Sequence, residues 1–347
     1  MATIGDVARR AGFSKMTVSR VLNNKGYVKE ETRRRIADAI AEFNYRPNMI
    51  ARGLVTGHSH TVAHVMLDID DMIHVAVNSG FEEACYERGY STIVCDASRK
   101  SREDDYIDMI IDKQIDGAMF HHLDITEEQA GRMIAAGVKC VLIDNENEIT
   151  SVSNIYTNNY RGGYIAAEHL IERGHKKLGC MHGLLSRPEV FNELTEYVDT
   201  FQFNIWRQRT QGFCDAIKAR GLEVNKKYFY QGDGTMKHGL KLASDIMKQV
   251  LTLDDRPTAM YCENDVMAVG AINALLELKL DVPETMAIIG HDGIEIGEIL
   301  YPRLTTIDQP RYQMGYLAAE TLIDLIKNKS GVTNRVLDPK LIVRETT

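Results

Sequence analysis

Apolar residues change rhythm near residue 60. Before that point they recur at helical spacing in three short blocks. Thr3-Ile4-Gly5-Asp6 matches a capping box that opens a helix with Val7, Ala8 and Ala11 on its inner face. Gly12 permits a tight turn, and Ser14 can cap a second helix with Val18, Val21 and Leu22 turned inward. Asn23-Asn24-Lys25-Gly26 then breaks the chain. A third helix is expected from about Glu30 to Asn44, carrying Ile36, Ala37, Ile40, Ala41 and Phe43 at helical spacing. Two short helices joined by a glycine turn and braced by a third make a helix-turn-helix.

From Thr61 onward strands and helices alternate. Val62–Leu67 predicts a strand and Val75–Arg88 a helix, followed by a strand at Ser91–Cys95, a helix near Arg102–Asp112 and a strand at Gly117–Phe120. Glu127–Ala136 is a further helix and Lys139–Ile143 a further strand. A second series begins at Gly162. It runs through Leu178–His182, Arg209–Arg220, Tyr228–Tyr230, Lys237–Leu251, Ala259–Cys262 and Val266–Leu278 to Met286–Ile289. Repeating βα units imply parallel sheets covered by helices on both faces. The fold class is therefore α/β: a small all-α head followed by a body of two sheets.

Composition excludes several classes. The 347 residues are 44% apolar and 26% charged, with 26 Gly and 7 Pro, which rules out disorder, collagen and a disulfide scaffold. No run approaches the ~20 apolar residues of a membrane span, and Met1–Arg10 has no apolar secretory core. A cytoplasmic protein without membrane contact is expected. Six scattered cysteines (Cys85, Cys95, Cys140, Cys180, Cys214, Cys262) form no C-x-x-C pair, which suits buried thiols in a reducing compartment.

The net charge of -8 hides an asymmetry. Residues 1–58 hold eleven Lys/Arg against five acids, giving +6, while the other 289 residues hold 30 basic and 44 acidic residues, giving -14. A basic head on an acidic body suggests that the head alone meets a polyanion. Its second helix would turn Lys15, Met16, Thr17, Ser19 and Arg20 outward. Lys and Arg match guanine O6 and N7, and Met can touch a thymine methyl.

At this point the chain resembles a known family. Asp6-Val7-Ala8, Ala11-Gly12-Phe13-Ser14 and Thr17-Val18-Ser19-Arg20-Val21-Leu22-Asn23 match the LacI/GalR family of bacterial transcription regulators. So do Asn44-Tyr45-Arg46-Pro47-Asn48 and Ala51-Arg52-Gly53-Leu54. Further blocks follow in order: Gly162–Leu170 with Gly174-His175, Glu263-Asn264-Asp265 with Met267-Ala268, Ile289-Gly290-His291-Asp292, and Leu304–Pro310. Together they cover nearly the full length.

The resemblance implies a helix-turn-helix domain over 1–47, a hinge helix and linker over 48–59, and an effector-binding and dimerisation domain over 60–347 with the periplasmic-binding-protein-like fold. Its N-subdomain would take 60–159 and 292–320, and its C-subdomain 160–291 and 321–347. Thr3, Ser14, Lys15, Met16, Thr17, Ser19, Arg20 and Asn23 would contact DNA. In the hinge, Leu54 would wedge between base steps, Ala51 would allow close approach, and Asn48 and Arg52 would lie near the backbone. A hinge of about eight residues is below the ~12–15 at which isolated helices hold in water, so it would need DNA and a second chain. The implied partners are a pseudo-palindromic double-stranded operator, a second copy of the chain and a small-molecule effector. No heptad tail follows Leu341–Glu345, so a dimer rather than a coiled-coil tetramer is expected.

Ligands in open α/β sheets sit beyond the carboxyl ends of strands. The resemblance places Asp292 there as an acceptor from effector hydroxyls, Arg209 as a donor to ligand oxygens, and Asn264 as an amide with both functions or as a helix cap. Gln309 joins them. Alternating donors and acceptors suit vicinal diols, so a sugar or sugar derivative is the expected effector. Departures from the family qualify this. Asp70-Asp71-Met72-Ile73-His74 replaces an apolar-aromatic run, and carboxylates such as Asp70 there favour a hydroxyl-rich or cationic effector over a purine. Gly234 stands where a member of the family has a stacking tryptophan. An insertion over Leu185–Arg207 carries Trp206, a candidate cleft aromatic.

Rival functions are weaker. A transport solute-binding protein shares the body but not the basic head. A catabolite-control regulator that takes a phosphorylated carrier protein as corepressor would carry arginine where this chain has Glu320, and a carboxylate there repels phosphate. His121-His122, His58 and His60 look like a catalytic or metal cluster, but no acid or Cys stands at ligand spacing. No catalysis, metal or cofactor is expected. Activation in place of repression stays open.

Overall fold

The computed structural model describes residues 2–22, 26–46, 53, 57–98, 103–123, 125–145, 149–183, 204–236 and 238–347. They divide into two compact units, Met1–His60 and Thr61–Thr347.

The first unit contains three described helices, α1 (Ile4–Ala11), α2 (Lys15–Leu22) and α3 (Glu30–Glu42). The capping box forms: the Thr3 hydroxyl accepts from the Asp6 N–H at 3.3 Å, and the Asp6 carboxylate accepts from the Thr3 N–H at 2.8 Å. Gly12 closes α1 at φ 77°. The Ser14 hydroxyl accepts from the Thr17 N–H at 3.1 Å and so caps α2. Val7, Ala8, Ala11, Val18, Ile36 and Ala39 form the core, with Phe13, Val21, Leu22 and Ile40 against it. The third helix differs from expectation. Ala37, Ala41 and Phe43 are exposed, because 3.6 residues per turn put 36, 39 and 40 on the inner side.

Among the described residues the second unit holds two six-stranded sheets. The first has the order β11-β5-β4-β3-β1-β2, with β1 (Thr61–Met66), β2 (Ser91–Asp96), β3 (Gly117–His121), β4 (Lys139–Ile143), β5 (Ser153–Thr157) and β11 (Asn334–Leu337). All its pairings are parallel. The second has the order β12-β10-β9-β8-β6-β7, with β6 (Leu178–His182), β7 (Phe229–Gln231), β8 (Ala259–Cys262), β9 (Ala287–Asp292), β10 (Thr305–Asp308) and an antiparallel edge, β12 (Lys340–Ile342).

Helices cover both faces of each sheet. On the first, α5 (Glu103–Asp112) and α6 (Glu127–Ala135) close one core, while α4 (Met72–Glu87) and α12 (Arg311–Ile326) close the other. On the second, α7 (Asn159–Glu172) and α8 (Asn204–Ala219) cover one face, and α9 (Gly239–Leu251) and α10 (Asp265–Glu277) the opposite one. A short α11 (Ile296–Ile299) precedes β10.

The course of the last third corrects the expected subdomain bounds. The expected bounds put residues 305–308 in the first lobe, but β10 pairs with β9, from Thr305↔Ile289 to Asp308↔Asp292, and belongs to the second sheet. The same bounds put residues 321–337 in the second lobe. Yet α12 lays Met314, Ala318, Ala319, Leu322, Ile323 and Ile326 on the first core, and β11 pairs with β5. Each such fully buried Leu, Ile or Met side chain is worth ~1.5–3 kcal/mol, which binds this helix to the first lobe throughout its length. The chain therefore crosses between lobes three times, after β5, after β10 and after β11.

Candidate functional site

The outward side of α2 is polar and open. Lys15 and Arg20 are exposed and enter no ion pair among the described residues, and Met16 is 67% exposed. Ser14 and Thr17 are half engaged with each other, their hydroxyls 2.9 Å apart. Other cations of this unit are committed to its fold. Arg10 pairs with Glu42 at 2.7 Å, and the Arg35 guanidinium lies 5.0 Å over the Phe13 ring. Asn23, Asn48, Ala51, Arg52 and Leu54 lie outside the described residues.

In the second unit the fold brings Arg209, Asp292, Gln309 and Trp206 to one place. Asp292 ends β9, with φ 114°, so its side chain leaves the strand end in a conformation that L-residues rarely take. Arg209 projects from α8 and is 2% exposed. Its guanidinium is held at three points. Nη2 lies 3.1 Å from Asp292 Oδ1, Nε donates to Asn159 Oδ1 at 2.9 Å, and Nη1 donates to the Glu263 carbonyl. Gln309 Nε2 donates to the same Asp292 oxygen at 2.7 Å. Burial pushes the Asp292 carboxyl up to about 6, although Arg209 and Gln309 pull it down. At neutral pH it is thus a paired carboxylate with little access to water.

Trp206 sits at the start of the same helix. The Arg209 guanidinium stacks 5.3 Å from its ring centroid. A Cβ at Gly183 would meet the indole at 2.3 Å, and one at Gly234 would meet it at 3.1 Å. The indole therefore fills the space that a larger side chain at 234 would take. This accounts for Gly234: the aromatic arrives from α8 instead.

Asn264 and Asp70 are placed differently from their expected roles. Asn264 caps α10, its Oδ1 accepting from the Met267 N–H at 2.9 Å while its amide donates to the Gly234 carbonyl at 2.8 Å. Both ends are used by the fold, as the cap reading anticipates. Asp70 is exposed, and its N–H donates to Asp68 at 2.9 Å. The rim acid whose charge reaches Asp292 is Asp71, the N-cap of α4. The two lobes meet beside it, where Ile73 of α4 packs with Val266 and Ile294 of the other lobe.

Several buried groups escaped the sequence reading. Glu263 accepts from the Thr210 hydroxyl and from the Gly183 N–H, the latter at 3.3 Å, and burial pushes it up to about 8. Asp265 accepts from Thr306 at 2.6 Å and from the Ile294 N–H at 2.8 Å, and burial pushes it to about 8 as well. Both flank Asn264, and a Glu-Asn-Asp triplet straight after an apolar strand was the available signal. In the first lobe His74, His121 and His122 come together, although His74 lies 47 positions before His121 in the sequence. Glu320, in turn, forms an ion pair with Arg88.

Comparison with known proteins gives the class. Residues 3–48 match the model of bacterial regulatory proteins of the lacI family, and residues 167–347 match a periplasmic binding protein-like domain. The chain is 34% identical to the HTH-type transcriptional repressor PurR of Vibrio vulnificus (strain CMCP6), over 100% of this chain and 98% of that protein. It is 32% identical to PurR of Vibrio cholerae serotype O1 (strain M66-2), with the same coverage. Among solved structures, the lac repressor dimer bound to operator and the anti-inducer ONPF aligns with a TM-score of 0.83 at 25% identity, covering 100% of this chain and 99% of that one. The transcriptional regulator CelR–cellobiose complex shares the fold, with a TM-score of 0.71 at 24% identity over the full length of both chains.

The chain belongs to the lacI family of bacterial regulatory proteins. It is a DNA-binding transcriptional repressor and not an enzyme.

Proposed function

We propose that this repressor is switched by a small polyhydroxylated effector, a sugar or sugar derivative, held between the two lobes of its second unit. The observation that carries the reading is the buried pair of Arg209 and Asp292, with Gln309 on the same carboxylate oxygen. A carboxylate accepts from vicinal hydroxyls, a guanidinium donates to ring and hydroxyl oxygens, and Gln309 does both. Trp206 offers an apolar ring face beside them, as carbohydrate sites use. Asn264 holds the loop through its cap, and Asp70 stands at the rim.

The repressor acts as a homodimer on a pseudo-palindromic operator. Each α2 enters the major groove with Lys15, Met16, Thr17, Ser19 and Arg20 toward base edges, and Thr3, Ser14 and Asn23 toward the backbone. Leu54 wedges into the minor groove with Ala51 allowing close approach, and Asn48 and Arg52 lie near the backbone. Effector binding and operator binding are then reciprocally linked, typically by ~1–3 kcal/mol.

Thermal shift of the full chain against mono- and disaccharides, with purine bases as the contrasting panel, tests the effector class. A sugar that raises the melting temperature and changes operator affinity supports the reading. A purine that does both while no sugar does overturns it. In Arg209→Ala and Asp292→Ala the response should weaken at least tenfold, and an unchanged response removes the pair from the site.

A further inference from the structure

The cleft end of the first sheet carries a cluster that the effector reading does not use. His121 ends β3, His122 follows it at φ 53°, and His74 lies in the first turn of α4 beside them. One ring nitrogen from each lies within 4.8 Å of the other two. The rings are close: His74 and His121 centroids are 4.3 Å apart, His121 and His122 4.6 Å, and His74 and His122 5.3 Å. His121 is fully buried, and among the described residues neither of its ring nitrogens has a hydrogen-bond partner; nor has Nε2 of His74. Leaving a buried polar atom unpaired costs ~1–3 kcal/mol, so a core serving packing alone would gain from an apolar side chain at 121.

We propose that His74, His121 and His122 bind one divalent transition-metal ion of the Zn2+, Co2+ or Ni2+ class. Imidazole suits these ions, and three protein ligands leave a fourth position open. Second partners already orient two of the rings. The His74 Nδ1 proton faces the Asp68 carbonyl, which leaves the Nε2 lone pair for a metal. His122 Nε2 lies 3.5 Å from Asp144 Oδ2, which leaves its Nδ1. This is the arrangement in which a ligating histidine passes its other ring proton to a carbonyl or carboxylate. Zn–N bonds of ~2.0–2.1 Å put tetrahedral nitrogens ~3.3 Å apart; small side-chain rotations close the present spacing. His122, 14% exposed, gives the ion its way in.

The site is coupled to the cleft. Ile73, next to His74, packs on Val266 and Ile294 of the second lobe, and the charge of Asp144 acts on Arg209. An ion that fixes His74 therefore fixes the seam between the lobes.

The test uses the full chain, stripped with EDTA and titrated with CoCl2 while ligand-field absorption is recorded. One ion per chain with tetrahedral bands is expected, bound in the micromolar range or tighter. His122→Ala and His121→Ala should each weaken it at least tenfold. Should His121→Ala lose its helical circular dichroism, His122→Ala at the edge of the cluster decides. Unchanged affinity in His122→Ala, no saturation below 100 µM (roughly 5 kcal/mol), or loss of binding in a His58→Ala, His60→Ala variant instead would overturn the proposal.

Discussion

The two lobes of the second unit are built alike and furnished oppositely. Each packs a helix pair on one face of a mostly parallel sheet, and the close approach of each pair is set by reciprocal glycines. A Cβ at Gly80 would stand 2.0 Å from the Tyr312 carbonyl oxygen, and one at Gly315 1.9 Å from that of Val77. In the second lobe a Cβ at Gly163 would stand 1.9 Å from the Arg209 oxygen, and one at Gly212 2.0 Å from that of Tyr160. At the strand ends the likeness stops. The first lobe presents clustered imidazoles, with His121 and His74 holding buried ring nitrogens that have no partner among the described residues. The second presents a guanidinium and carboxyls whose bonds are satisfied within the protein. A shared scaffold thus leaves the chemistry of each cleft wall to a handful of strand-end residues.

Removing one partner from each wall separates them most strongly. Arg209→Ala strands Asp292 in a buried site with Gln309 as its remaining donor, and breaking such a pair costs about 3–5 kcal/mol. In metal-free protein, His121→Leu removes two unpartnered nitrogens and should be neutral or stabilising. Urea unfolding of both variants checks the contrast. Equal losses would mean that His121 carries as much of the fold as Arg209, and the lobes would not differ.

A smaller effect tests the likeness. Gly163→Ala and Gly80→Ala should each cost about 1–3 kcal/mol or more, since a methyl must push two helices apart. Gly131, on α6, has open space around its Cβ position. Gly131→Ala should therefore gain up to ~1 kcal/mol from helix propensity. A mild Gly163→Ala beside a severe Gly80→Ala would show that only the first lobe depends on the close approach of its pair.

Legibility in the sequence followed the physics of each element. Continuous apolar runs gave β4, β6 and β8 with the bounds observed, because strands buried on both faces carry no polar alternation to misread. β5 and β10 are Ser-Asn-Ile-Tyr-Thr and Thr-Thr-Ile-Asp, buried yet polar in composition, and neither stood out. Missing β10 and α12 misplaced the crossovers, although Met314, Ala318, Leu322 and Ile326 had the right period. Family blocks pointed to Arg209, Asp292 and Gln309, which the fold brings into contact, and local spacing pointed to the capping residues. The three histidines needed the β3–α4 juxtaposition, which spacing along the chain does not encode.

The finest difference between the walls lies in their response to pH. Asp265 faces the charges of Asp292, which raises it, and Arg311, which lowers it, together with the Thr306 hydroxyl and the Ile294 N–H; burial outweighs them all. Its folded value near 8 stands above the ordinary 3.8, and Glu263 behaves likewise from 4.5. The folded state therefore keeps protons that the unfolded chain has released, and stability falls as pH rises through that interval. His182, pushed down to about 4 by burial, acts in the opposite sense, but only below its ordinary 6.5. Toward the upper end of the window from roughly pH 7 to 8.5 the buried cysteines act in the same sense as the acids, because burial raises every thiol above its ordinary value while the unfolded thiols begin to ionise. The melting temperature should decline across that window by a few degrees. Asp265→Asn, whose single oxygen can accept from the Ile294 N–H while its amide donates to the Thr306 hydroxyl oxygen, should decline less. An equally steep fall in the variant would mean that Asp265 is ionised in the fold and that the second wall carries one more charge than its geometry indicates.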